Sequence, residues 1–160
     1  MRALIISGTD DAQQLGLEFQ SYLRGQVGLA DSQITYHKMY RYHQRYQGFG
    51  AGNIYEMLEK ILTGSGVEPF VLYYTGHGLK YGWSPDDCLY IFYDRIFKIL
   101  AEHRKEIIFL NDCCYAMAAA RYQKLLKNKS LIYWFGSGKS GRLGFGIETG
   151  LKRVAKLPTG

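Results

Sequence analysis

Four short runs of this chain, Ala3–Ile6, Phe70–Tyr74, Ile107–Leu110 and Leu131–Phe135, are apolar or aromatic at every position. A strand with one wet face alternates polar and apolar residues, so unbroken runs of this length predict strands covered on both faces. Ile34–Tyr40 reads as a further strand. Leu89–Phe92 reads as the return arm of a small hairpin whose turn is marked by Gly82, Pro85, Asp86 and Asp87. Stretches with helical spacing lie between the runs. Leu15, Leu17, Phe19 and Leu23 follow the first; Ile54, Met57, Ile61 and Leu62 follow the glycine-rich Gly48–Gly52. Ile96–His103, the alanine-rich Ala116–Leu126 and Ile147–Lys156, the last after the loop Gly136–Gly146, complete the series. Such alternation predicts an α/β fold: a mostly parallel central sheet with helices on both faces.

A chain of 160 residues, nearly half of them hydrophobic, can bury one core, and no linker, low-complexity segment or repeat divides it. Residues 1–160 are expected to form one domain. Cys88, Cys113 and Cys114 include an adjacent pair and no repeating spacing, which excludes a secreted disulfide framework and fits a reducing cytoplasm. Met1–Ser7 is too brief for a signal segment, and no stretch reaches the length of a membrane span. The formal charge of +6 is spread along the chain. Tyr36–Tyr46 interleaves tyrosines with His37, Lys38, Arg41, His43 and Arg45, a composition that suits nucleic acid but equally a solvated edge, and no nucleic-acid partner is expected. The Gly138-Lys139-Ser140 tripeptide lacks the first glycine of a phosphate-binding loop.

In an open parallel sheet, functional groups gather just beyond the carboxyl ends of the strands. Two strand ends here carry reactive residues: Thr75-Gly76-His77-Gly78 and Asn111-Asp112-Cys113-Cys114. A nucleophilic thiol needs an imidazole to take its proton and later deliver it to a leaving amine, which assigns Cys114 as nucleophile and His77 as general base. The opening turn of the helix after Cys114 would place partial positive charge beside the thiol and favour the thiolate. Gly78 has no side chain, so its N–H and that of Cys114 are candidates for holding an oxyanion. Strand periodicity would set Cys114 on the face of Asp112 and so select it over Cys113.

Tyr73-Tyr74-Thr75-Gly76-His77-Gly78 resembles the strand-then-His-Gly motif of caspases, metacaspases and paracaspases, and Ile108-Phe109-Leu110-Asn111-Asp112-Cys113-Cys114-Tyr115-Ala116 resembles their apolar-strand Asp-x-Cys motif. The adjacent cysteines are most similar to bacterial metacaspase-like members, in which the second is the nucleophile. The resemblance spans nearly the whole chain in element order and implies a caspase-like three-layer sandwich and a cysteine endopeptidase. It also implies an acidic pocket for a basic substrate side chain, supplied by Asp112 with Asp10 or Asp11. No arginine stands at Thr9–Asp11, where caspases proper place one to bind aspartate, so the expected cleavage follows Arg or Lys.

Plainer readings stand beside these. Asp112 caps the following backbone, and Asp10 or Asp11 caps the first helix. Cys88 and Cys113 are inert buried thiols. The three cysteines with His77 make a poor zinc site, because adjacent cysteines seldom fit one tetrahedron. No cofactor is expected. Calcium activation, known among metacaspases, would have only Asp86, Asp87 and Asp94 to draw on. Ala116-Met117 stand where the family usually has a small residue and glycine. This departure supports the alternative, a catalytically silent caspase-like module that regulates a protein partner; the leading expectation has a protein or peptide substrate and no membrane.

Overall fold

A computed structural model describes residues 1–9, 12–39, 51–64, 66, 68–86, 89–103, 106–126 and 132–137. The chain begins with β1 (Arg2–Ser7), α1 (Gln13–Tyr22), a π-helical turn (Leu23–Val27), a short 3₁₀ turn (Asp31–Gln33) and β2 (Ile34–Lys38). After α2 (Ala51–Gly64) come β3 (Phe70–Thr75), β4 (Gly78–Leu79), β5 (Gly82–Asp86), β6 (Leu89–Phe92) and α3 (Tyr93–Glu102). The series closes with β7 (Ile107–Asp112), a 3₁₀ helix (Ala116–Leu126) and β8 (Ile132–Ser137).

The apolar runs form one five-stranded sheet in the order β2-β1-β3-β7-β8, parallel at every pairing. The class is α/β, as the alternation predicts. Side chains of successive residues go to opposite faces. Leu4, Ile6, Leu72, Tyr74, Ile107 and Phe109 enter a core with α2, α3 and the 3₁₀ helix. Ala3, Ile5, Val71, Tyr73, Ile108 and Leu110 enter a second core with Phe19 and Leu23. Both faces are thus covered, which is why these strands carry no polar alternation.

Two details depart from the expected helices. Leu17 is exposed at 38 %, because the buried face of α1 holds Phe19 and not the residue two positions earlier. Ala116–Leu126 is helical but of the tighter 3₁₀ kind. Its buried residues are Ala116, Ala119 and Leu126, with Tyr122 and Leu125 half-buried against the same core. The Ala118 N–H already bonds the Tyr115 carbonyl at 2.9 Å in the 3₁₀ pattern.

The predicted hairpin is a three-stranded antiparallel sheet, β4-β5-β6. Pro85 and Asp86 belong to β5 rather than to a turn; the register shifts between Trp83 and Asp86, and such an irregularity tolerates a proline that cannot donate to the ladder. The expected loop Gly48–Gly50, the strand residue Tyr40 and most of the stretch to Tyr46, the loop from Gly138 onward and the helix Ile147–Lys156 lie outside the described residues. Among the described residues, no helix is long and apolar enough to cross a membrane.

Candidate active site

All five parallel strands finish on one rung. Ser7 pairs with Lys38 on one side and Thr75 on the other, Thr75 pairs with Asp112, and Asp112 with Ser137. The rung is polar, yet Ser7, Thr75 and Asp112 are each no more than 2 % exposed. The chain's first strand has β2 on one flank and β3 on the other, so the strand order reverses there, the point at which ligand crevices form in open parallel sheets.

His77 and Cys114 each lie two residues beyond the paired Thr75 and Asp112, on adjacent strands. The two loops touch. A Cβ built on Gly78 would stand 2.2 Å from the Cys114 carbonyl oxygen and 2.5 Å from the Cys113 sulfur, so only glycine permits this approach. The Gly76 N–H donates to the Asp112 carbonyl at 3.3 Å, tying the loops at a second point. His77 is exposed and Cys114 partly exposed, whereas Cys113 is fully buried.

The separation of the two thiols has a different cause from the one strand alternation suggests. β7 ends at Asp112, so the two-residue period does not extend to Cys114. Cys113 continues the inward face of Asn111 and donates to its Oδ1 at 3.3 Å; burial pushes its thiol up to about 12. Tyr115 then takes φ of 55°, the left-handed region where a side chain is strained, and the chain turns outward at Cys114 into the 3₁₀ helix.

Tyr74 fixes the His77 loop from below. Its hydroxyl donates to the His77 carbonyl at 2.7 Å, and the Ser84 N–H meets the same oxygen at 3.0 Å. The Tyr74 ring stacks on Trp83 with centroids 4.3 Å apart. The Trp83 indole N–H in turn donates to Asn111 Oδ1 at 2.8 Å, and Asn111 Nδ2 donates to Tyr93 Oη and to the Ala116 carbonyl, each at 2.9 Å. One buried network therefore joins the strand before Cys114 to the loop that carries His77. Burial holds the Tyr74 and Tyr93 hydroxyls well above the usual phenol range, so both remain donors.

On the other face, Tyr73 donates to Asp112 Oδ2 at 3.3 Å. Burial first, and then the Asp112 charge, raise the Tyr73 hydroxyl above its ordinary value. The Asp112 side chain is thus 1 % exposed on the last rung of the sheet and accepts from a phenol. Asp10, Asp11 and Cys88 lie outside the described residues. Of the calcium candidates, Asp87 lies outside them as well; Asp94 sits in the first turn of α3, 3.7 Å from Lys98 Nζ. Among the described residues, one group brings three potential metal-binding side chains within 4.8 Å: Glu59, Glu102 and His103, away from the rim, where His103 Nε2 already pairs with Glu59 Oε1 at 3.3 Å.

Sequence reasoning located the two loops and missed Tyr74, Trp83, Asn111 and Tyr73. The one signal for the tyrosines is their adjacency in an otherwise aliphatic strand, since neighbouring strand residues must serve opposite faces. Fold and rim together define the class: an α/β protein with a parallel sheet that carries, beyond the carboxyl ends of the adjacent strands β3 and β7, a histidine loop and a cysteine loop in contact. No protein-family model and no curated protein matches the chain.

Proposed function

We propose that the chain is a caspase-like cysteine endopeptidase that cleaves proteins after Arg or Lys. The observation that carries this reading is the contact of the two motifs, with Gly78 pressed on the Cys114 carbonyl directly after His77. An exposed imidazole and a partly exposed thiol on touching loops are the minimal parts of a Cys-His dyad, and the neighbouring thiol, buried and pushed up to about 12, is unsuited to the task.

In this mechanism His77 accepts the Cys114 proton and the sulfur forms a bond to the scissile carbonyl carbon. The carbonyl π electrons move to oxygen, where the Gly78 and Cys114 N–H groups hold the oxyanion. Collapse of this intermediate breaks the C–N bond, and His77 returns its proton to the leaving nitrogen. Water, deprotonated by His77, then attacks the thioester and frees the carboxylate and the thiol. Asp112 receives the cationic side chain of the residue before the scissile bond. A buried carboxylate gains most from a charged partner that enters with its own donors, as a guanidinium does. Asp10 and Asp11 are the further candidates for that pocket.

Fluorogenic peptides ending in Arg, Lys or Asp, with and without calcium, test the reading against a Cys114→Ala control. Cys114-dependent cleavage after Arg or Lys is expected. Cleavage after Asp alone overturns the pocket, and no Cys114-dependent cleavage overturns the enzyme in favour of the silent module.

A further inference from the structure

We infer that the site continues onto an aromatic and basic ledge that receives the substrate segment leaving with the amine, and that this ledge selects a large apolar residue followed by a carboxylate. The inference rests on the peptidase reading above. Chemistry sets the side: His77 hands its proton to the leaving nitrogen, so residues after the scissile bond depart past His77. On that side the chain runs from His77 through β4 into the turn at Lys80 and Tyr81.

The ledge is continuous from the thiol outward. Tyr115, next to Cys114, is 56 % exposed, and the Lys80 ammonium lies 5.8 Å from its ring centroid. Arg121 Nη2 donates to the Lys80 carbonyl at 2.7 Å and clasps the turn to the 3₁₀ helix. Tyr81 stacks on Phe92 with centroids 5.8 Å apart, and with Tyr122, Asp94 and Arg95 they line a groove of about 610 Å³. Of six large apolar side chains exposed among the described residues, Leu17 alone lies on α1; the other five belong to the small sheet, its turn and the segment after Cys114. Such concentration marks a surface that is covered in use.

Charge identifies the occupant. Among the described residues, Lys80, Arg95 and Arg121 pair with no carboxylate, while Asp94 is matched by Lys98. The ledge is therefore net positive around its rings, and the complementary segment is one that brings an apolar side chain and a negative charge. Aromatic rings beside cations also suit single-stranded nucleic acid. Continuity with Cys114 favours the peptide.

Two internally quenched peptides carry the same Arg before the scissile bond and either Phe-Glu or Gly-Lys after it; a coumarin amide of the same Arg peptide has no residue there. The expected result is kcat/KM about tenfold higher for Phe-Glu than for Gly-Lys. Tyr81→Ser is expected to shrink that ratio toward one and Lys80→Glu to move the preference from Glu to Lys, while Leu17→Ser keeps the ratio. Tyr81 is exposed in a turn, its ring meets the likewise exposed Phe92 and Tyr90, and its backbone carbonyl, which accepts from the Tyr93 N–H, is kept in the variant, so its replacement leaves folding intact. Cleavage of the coumarin amide with equal rates on the two longer peptides overturns the ledge and spares the peptidase. Absence of Cys114-dependent cleavage of every substrate overturns both. Tyr81-dependent binding of a labelled oligouridine, with no peptide preference, reassigns the ledge to nucleic acid.

Discussion

Gly78→Ala isolates the contact on which the functional reading depends. The added Cβ would stand 2.2 Å from the Cys114 carbonyl oxygen and 2.8 Å from the Cys113 Cβ, both fixed by backbone rather than by a flexible side-chain end. Relief requires the two loops to part by about 1 Å, and forced overpacking of this kind costs about 1–3 kcal/mol. In a chain of this size that lowers the melting temperature by roughly 2–4 °C for each kcal/mol. Alanine keeps the backbone N–H, so any loss of turnover reports displacement of the loops and not removal of a donor. A shift of about 1 Å between reacting groups lowers kcat by about 100-fold. Gly25→Ala is the control, because nothing lies within 4 Å of a Cβ there; its stability is expected to stay within about 0.5 kcal/mol of the parent. Thermal melts and kcat on an Arg-coumarin peptide are the measurements. If Gly78→Ala melts with the control and cuts at the parent rate, the loops do not meet as described and the dyad argument falls.

Asn111→Ala strands the Trp83 indole N–H and the Ala116 carbonyl in a buried site, and is expected to cost about 3 kcal/mol in urea unfolding; an unchanged midpoint would show that the network is not closed. Tyr115→Gly removes the strain of φ 55° and is expected to leave stability unchanged or raise it by about 1 kcal/mol, whereas destabilisation of that size would refute the strain. Stability is expected to fall in alkali. Cys113 holds its proton to about 12 in the folded chain and to about 9.0 when unfolded, so between these values the unfolded state alone ionises and is favoured. Tyr73, Tyr74 and Tyr93 act with the same sign above their ordinary value of 10.0. Guanidinium melts at pH 8 and pH 11 check this, and equal stability at both would count against burial of these groups. At pH 8 iodoacetamide is expected to modify Cys114 before Cys113, because only the former is partly exposed; peptide mapping reads the order.

The sheet was legible because burial on both faces erases alternation. Ala3–Ile6, Phe70–Tyr74 and Ile107–Leu110 became β1, β3 and β7 with one or two residues added. Apart from Arg2 at the start of β1, the added residues are the polar Ser7, Thr75, Asn111 and Asp112 at the carboxyl ends, which a hydrophobic pattern stops short of; Ser7, Thr75 and Asp112 lie on the last rung. That the loops bearing His77 and Cys114 should meet was an expectation from chemistry, since a thiol nucleophile needs a base, and the loops do touch at Gly78. How they are held was not. The partners of Tyr74, Trp83 and Asn111 are decided by which strands become neighbours, and no local spacing carries that information. The 3₁₀ form of Ala116–Leu126 was hidden too, because an alanine-rich apolar pattern predicts a helix without fixing its pitch.

The level rung Lys38–Ser7–Thr75–Asp112–Ser137 also bears on when reactivity arises. A growing chain that has made β3 but not yet paired β7 owns a histidine loop with no thiol beside it. Sliding β7 by one residue along β3 would carry Cys114 about 3.3 Å away and turn Asp112 to the opposite face. Correct strand pairing is thus the condition for the two loops to meet: during synthesis, and in any misregistered chain, the His77 and Cys114 loops remain apart.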